Sequence, residues 1–221
     1  MKSSQAIDKI SLRLNKLASS DYQNIEIWKM EEAINKATQD WLRRQIKGKN
    51  QMQESDEETS VKADDLAVLL KSKTLSVINK DLYSEVKIPE DYRYFKRLTP
   101  LVSKNSCSNI NIKSTFVEEG NVDELLLNEL SKPSFEYEET FHTETSDIFR
   151  VYHNNDFKID KVILNYYKQP FYITLEDPEY VWEFKDEISE LIIDEAVKII
   201  AGDTENQLQY KISDARIETN N

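Results

Sequence analysis

The chain has 221 residues, with 41 acids against 29 bases for a formal net charge of -12, and only three glycines, five prolines and one cysteine. That length holds one sizeable core or two small lobes, the charge disfavours sequence-independent gripping of a phosphate backbone, and so few glycines argue against a glycine-rich phosphate loop. Cys107 has no second thiol for a disulfide or a zinc site, no apolar run approaches the roughly 20 residues of a membrane span, and MKSSQAIDKI lacks a signal peptide's apolar core, so a soluble protein made in a reducing cytoplasm is expected.

Ser3 and Ser4 are capping residues for a first helix predicted over 5–18, with Ile7, Ile10, Leu14 and Leu17 on one seam. After a polar turn, Ser20 and Gln23 fit the reciprocal capping pattern. A second helix is predicted from there to residue 47, carrying Ile27, Met30, Ile34, Ala37 and Trp41 at steps of three and four and stopped by Gly48. Two narrow seams joined by a short turn predict an antiparallel pair packed in coiled-coil fashion. Trp28 lies off the seam, placed to meet a third element or another chain.

Residues 49–60, polar and acidic, read as a mobile loop. Residues 61–70 suit either a short helix or a strand. Between 86 and 102 the prolines at 89 and 100, with Tyr92, Tyr94 and Phe95 between them, predict extended structure and turns. Ile110 and Ile112 alternate with polar residues as in a strand, and a small helix is predicted over 122–130, capped by Asn121, with Leu126 and Leu130 on one face. Strands follow at 135–140, 148–153 and 157–167, rich in aromatic and β-branched residues; Asn154-Asn155 predicts a hairpin between the last two. A further strand is expected over 171–175.

The last helix is predicted over 177–202 and organises the chain. Val181, Phe184, Ile188, Leu191, Ile192, Ala196, Ile199 and Ile200 form one apolar stripe, Asp177-Pro178 is the start signal and Gly202 the stop. The tail beyond it is sparse in apolar residues, at Leu208, Tyr210, Ile212 and Ile217, and suits docking on a neighbour. The expected fold is α+β: a helical bundle from the N- and C-terminal helices with a small antiparallel β domain in the middle. Its expected parts are 1–85, a helical hairpin and acidic loop; 86–175, mainly β; and 176–221, the packing helix and tail.

Chemistry is sought first where both histidines lie, among His142, Glu144, Asp147, His153, Asp156 and Asp160. Histidines with carboxylates are the residue types of a metal that activates water. The spacing lacks HExxH, and residues 156–160 lack the glycine and terminal glutamate of a calcium loop. No catalytic residue, cofactor or metal ligand is therefore assigned, and a metal-dependent hydrolase stands only as the rival class. Trp28, Trp182, Tyr210 and Ile212 are the candidate interface residues, whereas Trp41, on the seam, is assigned to the core.

Four runs then carry a resemblance: AIDKISLRLNKLASSDYQNIEIWKMEEAINKATQDWLRRQI; IPEDYRYFKRL; KPSFEYEETF with RVY and YYKQP; and EFKDEISELIIDEAVKIIAGD. Together, in this order and over nearly the whole chain, they resemble the ring proteins of crAss-like tailed bacteriophages, structural proteins of the head-to-tail connector beneath the portal. The stretch between YYKQP and the last helix is shorter than that resemblance leads one to expect. The resemblance implies a homo-oligomeric ring, dodecameric to match the portal, in contact with portal and other neck or tail proteins in the virion, with double-stranded DNA passing through without specific binding and no membrane involved. The rival within the same class is another neck or tail component such as a stopper or nozzle. Acids on the polar faces of the long helices are expected to line the lumen, where they repel DNA weakly and let it slide.

Overall fold

The computed structural model describes residues 1–15, 25–47, 64–105, 107–174, 177 and 179–203. The named elements are α1 (Ser3–Asn15), α2 (Ile27–Lys47), β1 (Leu70–Ser76), β2 (Ile78–Asn79), β3 (Tyr83–Lys87), β4 (Tyr92–Lys104), β5 (Cys107–Asn111), β6 (Lys113–Phe116), α3 (Val122–Leu127), β7 (Glu139–Thr145), β8 (Ile148–Tyr152), β9 (Lys158–Lys168) and α4 (Asp186–Asp203). The chain is mixed α+β, and the expected helical bundle with a small antiparallel β domain is overturned. Strand is nearly as abundant as helix and forms two full sheets, and one pairing, β6 with β7, is parallel. The physical reason lies in residues 70–87, where LKSKTLS is too polar to show the alternation that marks a strand, and in the 13-residue β4, where Pro100, with Pro89 just before the strand, hid its length.

The chain divides into two compact units, Met1–Val68 with Pro170–Asn221, and Leu69–Gln169. In the first, α4 packs against both α1 and α2. It is enclosed nearly all round: Ile192, Ile193, Ala196, Val197 and Ala201 are fully buried, and so is Ser189. Because α2 faces both α4 and α1, its buried stripe is wider than a coiled-coil seam, whereas α1 buries only the narrow row Ser3, Ala6, Ile10 and Leu14 and leaves Ile7, expected on its seam, half-buried. On α2 the stripe includes Ala33, Thr38 and Leu42 beside the expected Met30, Ile34, Ala37 and Trp41. Leu17 and Ser20, invoked at the sequence level, lie outside the described residues, as do the loop over 49–60 and the whole tail beyond 203.

Helix α4 begins nine residues later than the sequence signals suggest. Val181 and Phe184 keep a helical spacing, yet this segment pairs with the N-terminus: Ser3 N donates to Tyr180 O at 2.9 Å, Trp182 N to Met1 O at 2.7 Å, and Lys2 and Val181 form a bridge. Long-range pairing overrides local periodicity here, and Val181 is left 61% exposed. Asp186 and Glu187 occupy the first turn of α4, where negative charge complements the helix dipole. The polar side of α4 also differs from expectation. Arg13 bonds Asp194 at 2.8 Å and reaches Glu190, Lys9 also reaches Glu190, and Arg44 lies 3.2 Å from Glu195. Burial alone would raise the Glu190 carboxyl, but Lys9 and Arg13 hold it below the usual range. These three acids are paired inside the helical unit, whereas Asp186 and Glu187 of the same helix are exposed.

Residues 171–174 are not a strand. The backbone groups of Ile173 are satisfied from a side chain: Ile173 N donates to Asn35 Oδ1 and Asn35 Nδ2 donates to Ile173 O, each at 3.0 Å. Ile173 itself is buried.

In the second unit the sheets are β1-β9-β4-β5 and β2-β3-β8-β7-β6. Val86, Phe149 and Val151 of one sheet and Leu98, Val102, Val162, Leu164 and Tyr166 of the other form a single buried cluster, so the core lies between two stacked sheets. Val122 of α3 packs on Phe141 and Tyr152, on the opposite face of the second sheet. Asn154 and Asn155 both take positive φ, 45° and 57°, as their sequence suggested. They do not close a hairpin, however, because β8 and β9 belong to different sheets; the turn carries the chain across the sandwich. The strand expected at 135–140 is mostly a turn in which Glu138 has φ 55°, and β7 starts at Glu139. Helix α3 is shorter than expected and Asn121 makes no side-chain cap.

Candidate functional site

The histidine region is built by β7, β8 and the turn after β8. His142 sits on the inward face of β7, opposite Val151, among the rings of Phe95, Phe116 and Phe149 at centroid distances of 5.1, 5.8 and 5.9 Å. Its Nδ1 lies 2.8 Å from Ser114 Oγ, and its Nε2 is buried with no hydrogen-bond partner among the described residues. Burial pushes the imidazole down to about 4, so the ring is neutral at pH 7. His153 is also buried, its Nδ1 accepts from Asn155 N at 3.2 Å, and burial again lowers its pKa, against opposing backbone hydrogen bonds.

Asp156 is committed to structure. Its carboxylate accepts from Lys104 Nζ at 2.6 Å and from Phe135 N at 2.8 Å; burial would raise its pKa, and these two partners bring it below the usual range. Glu144 and Asp147 are exposed. Among the described residues no three His, Cys, Asp or Glu side chains gather in a group that could hold a metal. What this region does chemically is to bury two neutral imidazoles in an aromatic core and to tie the 133–137 turn to Asp156.

The four candidate interface residues fare differently. Trp28 is 51% exposed at the start of α2, next to the equally exposed Ile27; its indole N–H donates to Glu26, and Lys29 Nζ lies 5.5 Å from its ring. Trp182 is 3% exposed and packs edge-on against Phe184, which in turn meets Trp41, so its ring is not offered to a neighbour. Tyr210 and Ile212 lie outside the described residues.

No protein-family model and no curated protein matches the chain.

The sheet unit holds a surface that the sequence reading passed over. Beside α3, on the outer side of the second sheet, Leu125, Leu130, Tyr137 and Phe141 line an open groove of about 640 Å³. Leu127, Leu130 and Tyr137 are 84%, 90% and 73% exposed. Residues 117–139 contain eight acids and one base, Lys132, which is paired with Glu129. The chain leaves α3 at Asn128, whose side chain accepts from Leu130 N at 3.0 Å, and this turn throws Leu130 outward. The available signal was the run Leu125-Leu126-Leu127 within so acidic a stretch: a six-residue helix has one buried side, which leaves the third leucine in water. No helix among the described residues is long and apolar enough to cross a membrane.

Proposed function

We propose that this chain is a structural subunit of a homo-oligomeric ring in the head-to-tail connector of a crAss-like tailed bacteriophage, joining portal to tail in the virion and forming part of the conduit for DNA. The observation that carries the reading beyond the sequence resemblance is the exposed apolar pair Leu130 and Tyr137 in the groove beside α3, with Leu127 exposed just before it in an acid-rich stretch. Large apolar side chains grouped this way beside a groove are the mark of a surface that another protein covers. Ile27 and Trp28 add a second exposed pair, on the helical unit. A head-to-tail ring needs two unlike patches on every subunit, meeting in rotation until the circle closes. The histidine region supports the same reading, since its imidazoles are sealed in the core and Asp156 is held by Lys104 and Phe135. Duplex DNA passes through without specific binding, in keeping with the surplus of 41 acids over 29 bases.

Native mass spectrometry and negative-stain imaging of the purified full chain, alone and mixed with its portal protein, test this. A closed ring in either sample is the expected result. A chain that assembles into no ring in either sample sinks the proposal.

A further inference from the structure

The two outer faces of the sandwich differ in charge. The strands of the first sheet, β1, β9, β4 and β5, contain nine Lys and Arg residues and one acid, Asp160. The register sorts them by face. Val162, Leu164 and Tyr166 point into the core, so Lys161, Ile163, Asn165 and Tyr167 point outward; Arg97 stands opposite Asn165 and Thr99 opposite Ile163, on the same outer face. Lys96 is the extra residue of a bulge, and its Nζ lies 5.8 Å from the Tyr167 ring, which puts it on this face too. Lys96, Arg97, Lys158 and Lys161 are all exposed. None of the four forms an ion pair among the described residues. On the far side of the sandwich, across both sheets, lies the groove beside α3, in the stretch 117–139 whose eight acids include three, Glu119, Glu129 and Glu139, paired with Arg150, Lys132 and Lys113.

One chain thus carries a cationic face and an acidic, apolar face on opposite sides of one folded unit. We infer that these two faces are the two halves of the ring contact: the outer face of the first sheet of one copy covers the α3 groove of the next copy. The inference rests on the ring reading and assigns it a surface. Opposite placement makes the contact heterologous, so each copy has one free partner face on either side and the series closes only by going round. Leu127, Leu130 and Tyr137 supply apolar burial at the centre, and the charges select orientation and oppose face-to-face pairing of like sides. A duplex is the other polyanion that a cationic face takes up, but a chain of net charge -12 repels it as a whole, whereas a second copy offers a complementary surface of limited size.

Charge reversal on each face tests the inference. One full-length variant carries Arg97→Glu and Lys161→Glu, the other Glu124→Lys and Glu129→Lys; circular dichroism establishes that each is folded. In sedimentation at 50 mM salt the unaltered chain is expected to associate. Each variant alone, with two like faces, is expected to associate at least tenfold more weakly, and an equimolar mixture of the two to recover association, because every contact in an alternating series is again between unlike charges. As a second measurement, a photo-crosslinker on Cys107, the exposed single thiol on β5, is expected to capture residues 117–139 of another copy. Undiminished association of either variant, no recovery on mixing, a chain that stays monomeric at 50 mM salt, or loss of labelled-duplex binding in place of loss of association would each overturn the inference. Rings that form from both variants would refute this contact while leaving the ring; recovery on mixing without a ring in the phage neck would do the reverse.

Discussion

Acidification should loosen the sandwich through His142, and the size of the effect follows from where the ring sits. The imidazole is fully buried between Phe95, Phe116 and Phe149 and its pKa falls from 6.5 to about 4. In the unfolded chain it titrates normally. The folded pKa is depressed, so protons bind the unfolded state more readily; the stability that the neutral ring permits is whole above pH 6.5 and is lost as pH falls toward 4. At pH 5 the unfolded side chain is almost wholly protonated and the folded one almost wholly neutral. A gap of about 1.5 pH units at 1.36 kcal/mol each gives a loss of about 2 kcal/mol relative to pH 8. His153 is shifted the same way and adds to the loss in the wild type. Urea unfolding of the wild-type chain and of His142→Leu at pH 8 and pH 5 isolates the His142 share. The variant loses the Ser114 hydrogen bond at both pH values, about 1 kcal/mol, but it escapes the acid penalty, so the stability gap between the two proteins should shift by about 2 kcal/mol in the variant's favour on acidification. A gap that does not change with pH refutes the neutral buried ring.

Other perturbations follow from the helical unit and the sandwich. Asn35→Ala leaves the buried Ile173 peptide without its donor and acceptor, and chemical denaturation should show a loss of about 2 kcal/mol; no loss would mean that water replaces the amide. Arg13→Met removes the cation that Glu190 and the buried Asp194 share and is expected to cost about 3 kcal/mol at pH 7, with the deficit shrinking as pH falls through the lowered Glu190 titration, because Arg13 is one of the groups that lower it. A cost independent of pH would place the effect in packing instead. Trp41→Ala removes a side chain packed 5.3 Å from Phe184 and should lower stability by about 3–5 kcal/mol in thermal or urea unfolding, while Trp28→Ala, 51% exposed, should change it by less than about 0.5 kcal/mol.

The elements legible in the sequence were those whose own residues decide their state. The buried positions of α2 from Met30 to Trp41 follow its three-and-four spacing because that side of the helix is covered there, whereas Ile27, expected on the same seam, is 51% exposed at the helix start. Strands β8 and β9 show in their aromatic and β-branched runs. What escaped was set from a distance. Val181 and Phe184 continue the apolar stripe of the last helix, but residues 180–182 pair with the N-terminus, and β1 has an exposed, polar sequence because it is an edge strand held by β9 alone. The left-handed pair Asn154-Asn155 was legible as a turn, yet nothing local says whether a turn returns the chain to the same sheet or sends it to the facing one. The interface candidates divided for the same reason: Trp28 and Trp182 look alike in sequence, and only the segment from 180 to 184, folded back on residues 1–3, buries one of them. The groove beside α3 was hidden because exposure of Leu127 and Leu130 depends on where α3 stops.

The measurement that bears most directly on the proposed role is imaging of intact particles, with the layers beneath the portal resolved well enough to trace side chains. The expected result is this chain in a closed ring under the portal, with the first sheet of each copy against α3 of the next and duplex DNA passing through without base contacts. Its absence from every layer of the neck, or its presence as single copies with both sandwich faces in solvent, would contradict the proposal.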